Sequence, residues 1–455
     1  MSLTFFRHIF VESFGRFGNS HYLCRINSVN FLSIAMDIKL RLTILNFIEF
    51  AVWGAYLISM GLYLGSEGLG ANIGWFYSVQ GFVSLCMPAL MGIVADKWIQ
   101  AQRLLGLCHG LAGMFMLAAC YYGVTSAGHV SFGTLFTLYT CSVAFFMPTI
   151  ALTNSVAYNA LEKEGLDTVK AFPPIRVWGT VGFICSMWVV NLIGIKSTPY
   201  QFALSGALSL VMACYSLTMP ACPTNRTGEK KSLADALGLR AFALFRNYRM
   251  AVFFIFSMLL GSCLQITNGY ATSYLEAWGA LPEYADSLMV KYSVIITSVS
   301  QMSETLCILL IPFCLSRFGI KKVMLMSMLA WVFRFGFFAI GNPGPGFVFI
   351  ILSMIVYGVA FDFFNISGSL FVDKETDLGI RNSAQGLFMM MTNGFGATVG
   401  MLCAQVVVNH YVFDLPEGSD TLPGWQTCWY IFASYALVVA ILFAIFFRDS
   451  TPARK

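Results

Sequence analysis

Charge is what this sequence lacks. Only 11% of its 455 residues are Asp, Glu, Lys or Arg, against roughly 25% in an ordinary soluble domain, so the chain cannot clothe a water-facing surface of normal polarity. Histidine is scarce as well. His8, His21, His109, His129 and His410 never fall at a ligand spacing, which leaves histidine-based catalysis nothing to build on. The thirteen cysteines show no metal-ligand spacing either. Cys86, Cys108, Cys120, Cys141 and Cys185 each stand alone in an apolar run and read as small packing residues. No Ser/His, Cys/His or HExxH arrangement is present, so a membrane-embedded enzyme would lack its parts. Neither a metal nor a cofactor is expected.

What is there is apolar. Fifty-eight per cent of the residues are hydrophobic, which makes lipid the main solvent. A helix crossing a bilayer needs roughly 20 mostly apolar residues. Twelve segments meet that length, at about 39–65, 71–95, 104–123, 130–158, 171–196, 199–220, 250–280, 287–316, 322–341, 346–372, 383–411 and 425–448. A transmembrane barrel would show alternating runs of about ten residues, whereas these runs are continuous. The expected fold class is an all-α membrane protein of twelve helices.

The few charges sort by loop. Lys97, Arg103, Lys163, Lys170, Arg317, Lys321, Lys322, Lys374 and Arg381 follow even-numbered segments, and Arg226, Lys230, Lys231, Arg240, Arg246 and Arg249 crowd the longest connection. The opposite loops hold little basic charge beyond Lys196 and Lys291 and collect Glu67, Glu276, Glu283, Asp286, Asp414, Glu417 and Asp420. An excess of Lys and Arg marks cytoplasmic loops, which places both termini and the long loop in the cytoplasm. The domain plan is then a six-helix half at 36–220, a polar linker at 221–249 and a second half at 250–455. Residues 1–35 have no unbroken apolar run and read as an extension or a misassigned start, with Met36 opening the first helix naturally.

Both halves carry a basic turn after their second helix. The first reads Gly92-Ile93-Val94-Ala95-Asp96-Lys97, and the second, Ser316 to Lys322, is a weaker echo. Duplication of this kind marks transporters built from two related halves. The first turn also resembles GxxxD(R/K), the structural cytoplasmic loop signature of the major facilitator superfamily, through Gly92, Asp96 and Lys97.

Ionisable groups inside a span are expensive, about 2.5–3.5 kcal/mol each on insertion scales, and persist where they are paired or face a wet cavity. Five qualify: Glu49, Arg176, Glu304, Arg334 and Asp362. Helical spacing gathers polar and aromatic neighbours around several of them. Arg176, Thr180 and Phe183 share one face of the fifth helix. Gln265 and Asn268 share a face of the seventh, Gln301 and Glu304 of the eighth, and Tyr357 and Phe361 of the tenth, with Asp362 one step round. Converging, these faces suit a neutral, polar, partly aromatic ligand, because amides and carboxylates bond hydroxyls and base edges while rings stack on a base. Blander readings stand beside this one. Arg176 could snorkel to the interface, Gln265 and Asn268 could join helices, and Arg334 reads as the partner of a structural ion pair.

At these residues the chain resembles a known family. The stretches Phe172–Thr180, Phe253–Leu260, Leu264–Asn268, Tyr357–Gly368, Ser383–Gly386 and Met389–Gly396 are similar to those of the nucleoside:proton symporters. The resemblance runs from about Met36 to Phe447. It implies a major facilitator fold in the bacterial cytoplasmic membrane, with nucleosides, protons and lipid as partners, no nucleic acid, a monomer, and the proton gradient in place of a cofactor. It also implies that Arg176, Thr180, Phe183, Gln265, Asn268, Gln301, Glu304, Tyr357 and Phe361 line the nucleoside site. Proton coupling is expected at Glu304 or Asp362, with Glu49 third. Two positions depart from the pattern, Glu49 where a glutamine is expected and Cys263 where an acidic residue is expected. Sugar:proton symport on the same fold is the alternative.

Overall fold

A computed structural model describes residues 37–223, 239–377, 380–416 and 418–447. The expected extension at 1–35 and residues 224–238 of the expected linker lie outside the described residues. All the regular structure among them is helical, as lipid demands of a chain that must satisfy its own backbone.

The first half holds α1 (Ile38–Gly54), α2 (Ile73–Lys97), α3 (Ala101–Thr125), α4 (Phe132–Lys163), α5 (Thr168–Leu192) and α6 (Tyr200–Ser216). The second holds α7 (Tyr248–Ala277), α8 (Ser293–Cys307), α9 (Ile311–Ile340), α10 (Phe347–Glu375), α11 (Arg381–Met389, running on through Ala397–Val408) and α12 (Leu422–Phe446). Nine helical stretches among the described residues are long and apolar enough to cross a membrane. One of them, Ser293–Ile340, spans 48 residues and is two passages divided at Gly319. α1 with its continuation Met60–Ser66, and the 17-residue α6, complete the twelve.

Local chemistry sets several boundaries. The Asp37 carboxylate accepts from the Lys39 backbone N–H and caps α1, and Asn247 Oδ1 accepts from Arg249 N at 3.0 Å to open α7. The first expected span, 39–65, is interrupted by turns between Gly54 and Met60. The first basic motif, Gly92 to Lys97, forms the final turns of α2 rather than a loop. Its echo also stays helical except at Gly319, whose φ of 77° is a conformation that side chains with a Cβ resist. α11 is not regular. Its backbone widens into π-helical turns at Met390–Gly396 and again at Asn409–Phe413. The end of the linker forms a 3-10 segment, Leu239–Arg246.

Within the first half α1 packs on α5 and α6, and α3 packs on α4 and α6; within the second, α10 packs on α8 and α9, and α9 on α12. The halves meet through α2 against α11 and α5 against α8. Polar bonds stitch them together at the end away from Asp37 and Phe447. Lys196 Nζ lies 2.7 Å from Glu276 Oε1, Asn191 Nδ2 donates to the Lys291 carbonyl at 3.1 Å, and Gln405 Oε1 accepts from the Gly74 backbone. The two lysines that broke the charge pattern are thus paired with acids, Lys196 with Glu276 and Lys291 with Asp286 at 3.0 Å. At the opposite end Arg249–Glu375 and Arg381–Asp373, each 3.0 Å, join residues of one half.

Candidate functional site: a charged and aromatic cluster between the halves

Close backbone approach builds the site on both sides. A Cβ at Gly182 of α5 would sit 2.1 Å from the Phe47 carbonyl oxygen of α1, and one at Gly358 of α10 would sit 2.5 Å from the Ser303 carbonyl oxygen of α8. Only glycine lets these pairs press together, and each contact lies within a turn or so of candidate residues.

On the first side the Arg176 guanidinium lies over the Phe50 ring, 3.8 Å from its centroid, an arrangement worth up to about 2 kcal/mol when desolvated. Arg176 therefore does not run to an interface. Phe183, two turns along α5, meets Trp53 edge-on at 6.2 Å. The Trp53 indole donates to Gln80 Oε1 at 3.3 Å, and Gln80 Nε2 donates to the Tyr139 hydroxyl at 2.7 Å, which holds the ring in place. Thr180 shares the face of Arg176 and is partly exposed.

On the second side the Tyr357 and Phe361 rings are parallel, 5.8 Å apart with 3° between their planes. Asp362 follows, 5% exposed, and neither its Oδ2 nor the buried Gln301 Oε1 has a hydrogen-bond partner among the described residues. Glu304 is half-buried and takes no hydrogen bond from the described residues. Asn268 Nδ2 donates to Gln265 Oε1 at 3.2 Å, which leaves the Gln265 amide nitrogen and the Asn268 oxygen for another partner. A narrow cleft lined by Leu264, Phe361, Asn365 and Asn393 joins α7 to α10 and α11.

Electrostatic contact ties the sides together. Arg176 interacts with Glu304 across the two halves, and Glu304 in turn interacts with Tyr357 and Asp362. The structure so gathers Arg176, Glu304, Tyr357, Phe361 and Asp362 into one neighbourhood. Gln265 and Asn268 bond each other.

One expectation needs correcting: among the described residues Arg334 has no ion-pair partner. Its Nη1 donates to the Ser353 carbonyl at 2.8 Å and to Ser300 Oγ at 3.2 Å, and its guanidinium lies 4.5 Å from the Tyr357 ring centroid. Glu49 finds its partners within one half. Fully buried, it faces the interior of the first half and bonds His109 Nε2 at 2.9 Å, Thr149 Oγ1 at 2.7 Å and Thr153 Oγ1 at 2.8 Å. Phe50, Trp53, Gln80 and His109 escaped notice in the sequence. Phe50 and Trp53 carried a signal, an aromatic pair three residues apart beside an intramembrane carboxylate, while nothing local marked His109.

Twelve helices in two halves, with costly polar groups of both halves facing one another, define a transporter of the major facilitator type. The family model described as nucleoside H+ symporter matches residues 36–452, and the chain belongs to that family. It is 48% identical to the xanthosine permease of Escherichia coli (strain K12), over 92% of this chain and 98% of that protein. It is 45% identical to the nucleoside permease NupG of the same organism, over 91% of this chain and 96% of that one. The crystal structure of the nucleoside transporter NupG superposes with a TM-score of 0.83, covering 91% of this chain and all of that one. The apolar helices and these bacterial relatives identify a multi-pass protein of the bacterial inner membrane.

Proposed function

We propose that this chain takes up nucleosides with protons by exposing the cluster between its halves first to one side of the membrane and then to the other. In this reading Gln265, Asn268, Gln301 and Arg176 bond the ribose hydroxyls and base edges. Tyr357, Phe361 and Phe183 offer rings to the base, for which stacking is typically worth about 1–3 kcal/mol. The parallel Tyr357–Phe361 pair suits a flat base better than a bare sugar. Both termini are cytoplasmic, so the polar stitching at Lys196, Glu276 and Gln405 closes the outer side. One chain supplies every group of the site, and a monomer suffices. No cofactor and no catalysis enter: proton entry is worth about 2.3 kcal/mol per charge for each 100 mV.

The observation that carries the coupling is the state of Glu304 and Asp362. Glu304 takes no hydrogen bond from the described residues, and Asp362 Oδ2 is buried without a partner. A carboxylate that the fold does not depend on can gain and lose a proton without disturbing it, and Arg176 beside Glu304 links that exchange to the ligand. The proton carrier is therefore Glu304 or Asp362. Uptake of labelled uridine and adenosine into cells lacking their own carriers, with and without a protonophore, tests cargo and coupling together. Glu304→Gln is expected to lose accumulation and keep exchange; full accumulation in both Glu304→Gln and Asp362→Asn ends the assignment.

A further inference from the structure

Glu49 and His109 form the most completely bonded ionisable pair in the membrane part of the described chain, and the cluster between the halves makes no use of it. Both side chains are fully buried. Thr149 of α4 bonds Glu49 Oε1 at 2.7 Å, while Thr153 of α4 and His109 Nε2 of α3 reach Oε2 at 2.8 and 2.9 Å. The other ring nitrogen, Nδ1, faces Ser209 Oγ of α6 at 3.0 Å.

Ser209 is the informative member. Its hydroxyl has one hydrogen and two acceptors in reach, His109 Nδ1 and the His109 carbonyl oxygen, each 3.0 Å away. With a neutral imidazole, Nε2–H donates to Glu49 and the Ser209 hydroxyl donates to Nδ1. When a proton arrives, it forms the Nδ1–H bond, that N–H donates to Ser209 Oγ, and the serine hydrogen swings to the carbonyl. Every polar atom at Nδ1 stays satisfied in both states. The charge of the pair changes from −1 to zero through the rotation of one hydroxyl. Histidine is the side chain suited to such a change between about pH 5 and pH 8.

The titratable and charged groups facing the pair are few. α3 contributes the Cys108 thiol and α5 contributes Arg176, both in electrostatic contact with Glu49. α4 and α6 face it with hydroxyls alone. Glu304 of α8 interacts with Arg176 in turn. Glu49 also immediately precedes Phe50, the ring on which Arg176 lies. A negative pair thus draws the guanidinium toward α1, and a neutral pair releases it toward the ligand.

All the members belong to α1, α3, α4 and α6, one six-helix half. When the halves rock, this interior moves as a unit and does not change sides, so the pair is not placed to carry a proton across. Resting on the transport reading above, we propose that Glu49, His109 and Ser209 form a proton-binding site, separate from the carrier carboxylates, that tunes how firmly Arg176 holds a nucleoside. Binding tightens as pH falls, because protonation removes the charge that competes for Arg176.

The test uses the full chain with nitrogen-15-labelled histidine, whose five rings are few enough to resolve by NMR, the His109 signal being the one absent from His109→Gln. His109 is expected to titrate, and saturating uridine or adenosine is expected to shift its midpoint upward. Nucleoside affinity should rise roughly five- to tenfold from about pH 8 to about pH 5.5, within the usual range of coupling between sites. That slope should flatten in His109→Gln, with the number of protons moved per nucleoside unchanged. Ser209→Ala, which keeps the Glu49–His109 contact, should lower the midpoint by removing the acceptor for Nδ1–H. A His109 fixed in one protonation state overturns the proposal, as does a His109 that titrates with no response to a nucleoside the protein demonstrably binds. Loss of proton stoichiometry in His109→Gln overturns it too, by making the pair the carrier. A protein that accumulates no nucleoside while His109 still titrates would sink the cargo reading and leave the proton site standing.

Discussion

Glu49 in the first half takes donors from three side chains within 2.9 Å, whereas Glu304 in the second takes none from the described residues and meets its neighbours only through electrostatic contact. Both are carboxylates within membrane-spanning helices, and on insertion scales alone they look alike. The difference is what each would lose on gaining a proton. Protonating Glu49 would set a neutral acid among its hydrogen-bond donors. Protonating Glu304 breaks no hydrogen bond among the described residues and gives up only its attraction to Arg176. Burial shows that a charged group must be explained; its hydrogen bonds show whether the carboxylate itself is free to exchange a proton.

The comparison breaks most visibly at Glu49. Glu49→Ala leaves His109 Nε2 and the Thr153 hydroxyl without their partner in a buried interior, and removing one partner of a buried pair typically costs about 3–5 kcal/mol. Thermal unfolding of the purified protein is expected to show a marked loss of stability, with Glu304→Gln at or above the unsubstituted chain. Equal stability in both variants would erase the distinction.

The next largest effect belongs to Glu304 itself. An imposed potential of 100 mV supplies about 2.3 kcal/mol for one proton, or about a fiftyfold concentration ratio. Glu304→Gln vesicles should hold labelled uridine at no more than its outside concentration while exchanging it freely. Accumulation at the original ratio, with Asp362→Asn collapsed, would move the carrier one helix over to α10.

Phe361 sharpens the boundary of the free region. Its ring lies parallel to Tyr357 and lines the cleft beside Asn365 and Asn393. Phe361→Ala is expected to weaken nucleoside binding by about 1–3 kcal/mol, the usual worth of a stacked base, with folding little changed. Equilibrium binding measured beside thermal unfolding separates the two. A variant that loses stability and keeps its affinity would make the ring packing only.

Much of this was legible in the sequence because lipid punishes error. Continuous apolar runs set the number of passages, and rare charges and amides at helical spacing mark α5, α7, α8 and α10. What stayed hidden depended on distance along the chain. His109 reads as a lone histidine in an apolar helix, and only the packing of α1, α3, α4 and α6 brings it to Glu49, 60 residues away. Arg334 looked like half of an ion pair, because backbone carbonyls such as that of Ser353 leave no trace in residue types. The break in α9 was partly visible as a basic motif, but the φ of Gly319 was not.

Glu276 offers the smallest and finest test, being an intermediate between the two extremes. It is partly exposed, pairs with Lys196 at 2.7 Å and accepts from Ser293 Oγ. Its two partners lie on opposite halves, since Lys196 follows α5 and Ser293 opens α8. Glu276 lies in α7, in the same half as Ser293, so only its bond to Lys196 depends on this end being closed, unlike those of Glu49, which persist as the halves move. Glu276→Gln should leave unfolding nearly unchanged and shift the balance toward the conformation open at that end. For a partly exposed ion pair worth no more than about 1 kcal/mol, the shift is at most about fivefold. Distances between spin labels on the ends of α5 and α8 would report it, and an unmoved distribution would mean that Gln405 and Asn191 hold the closure without help from charge.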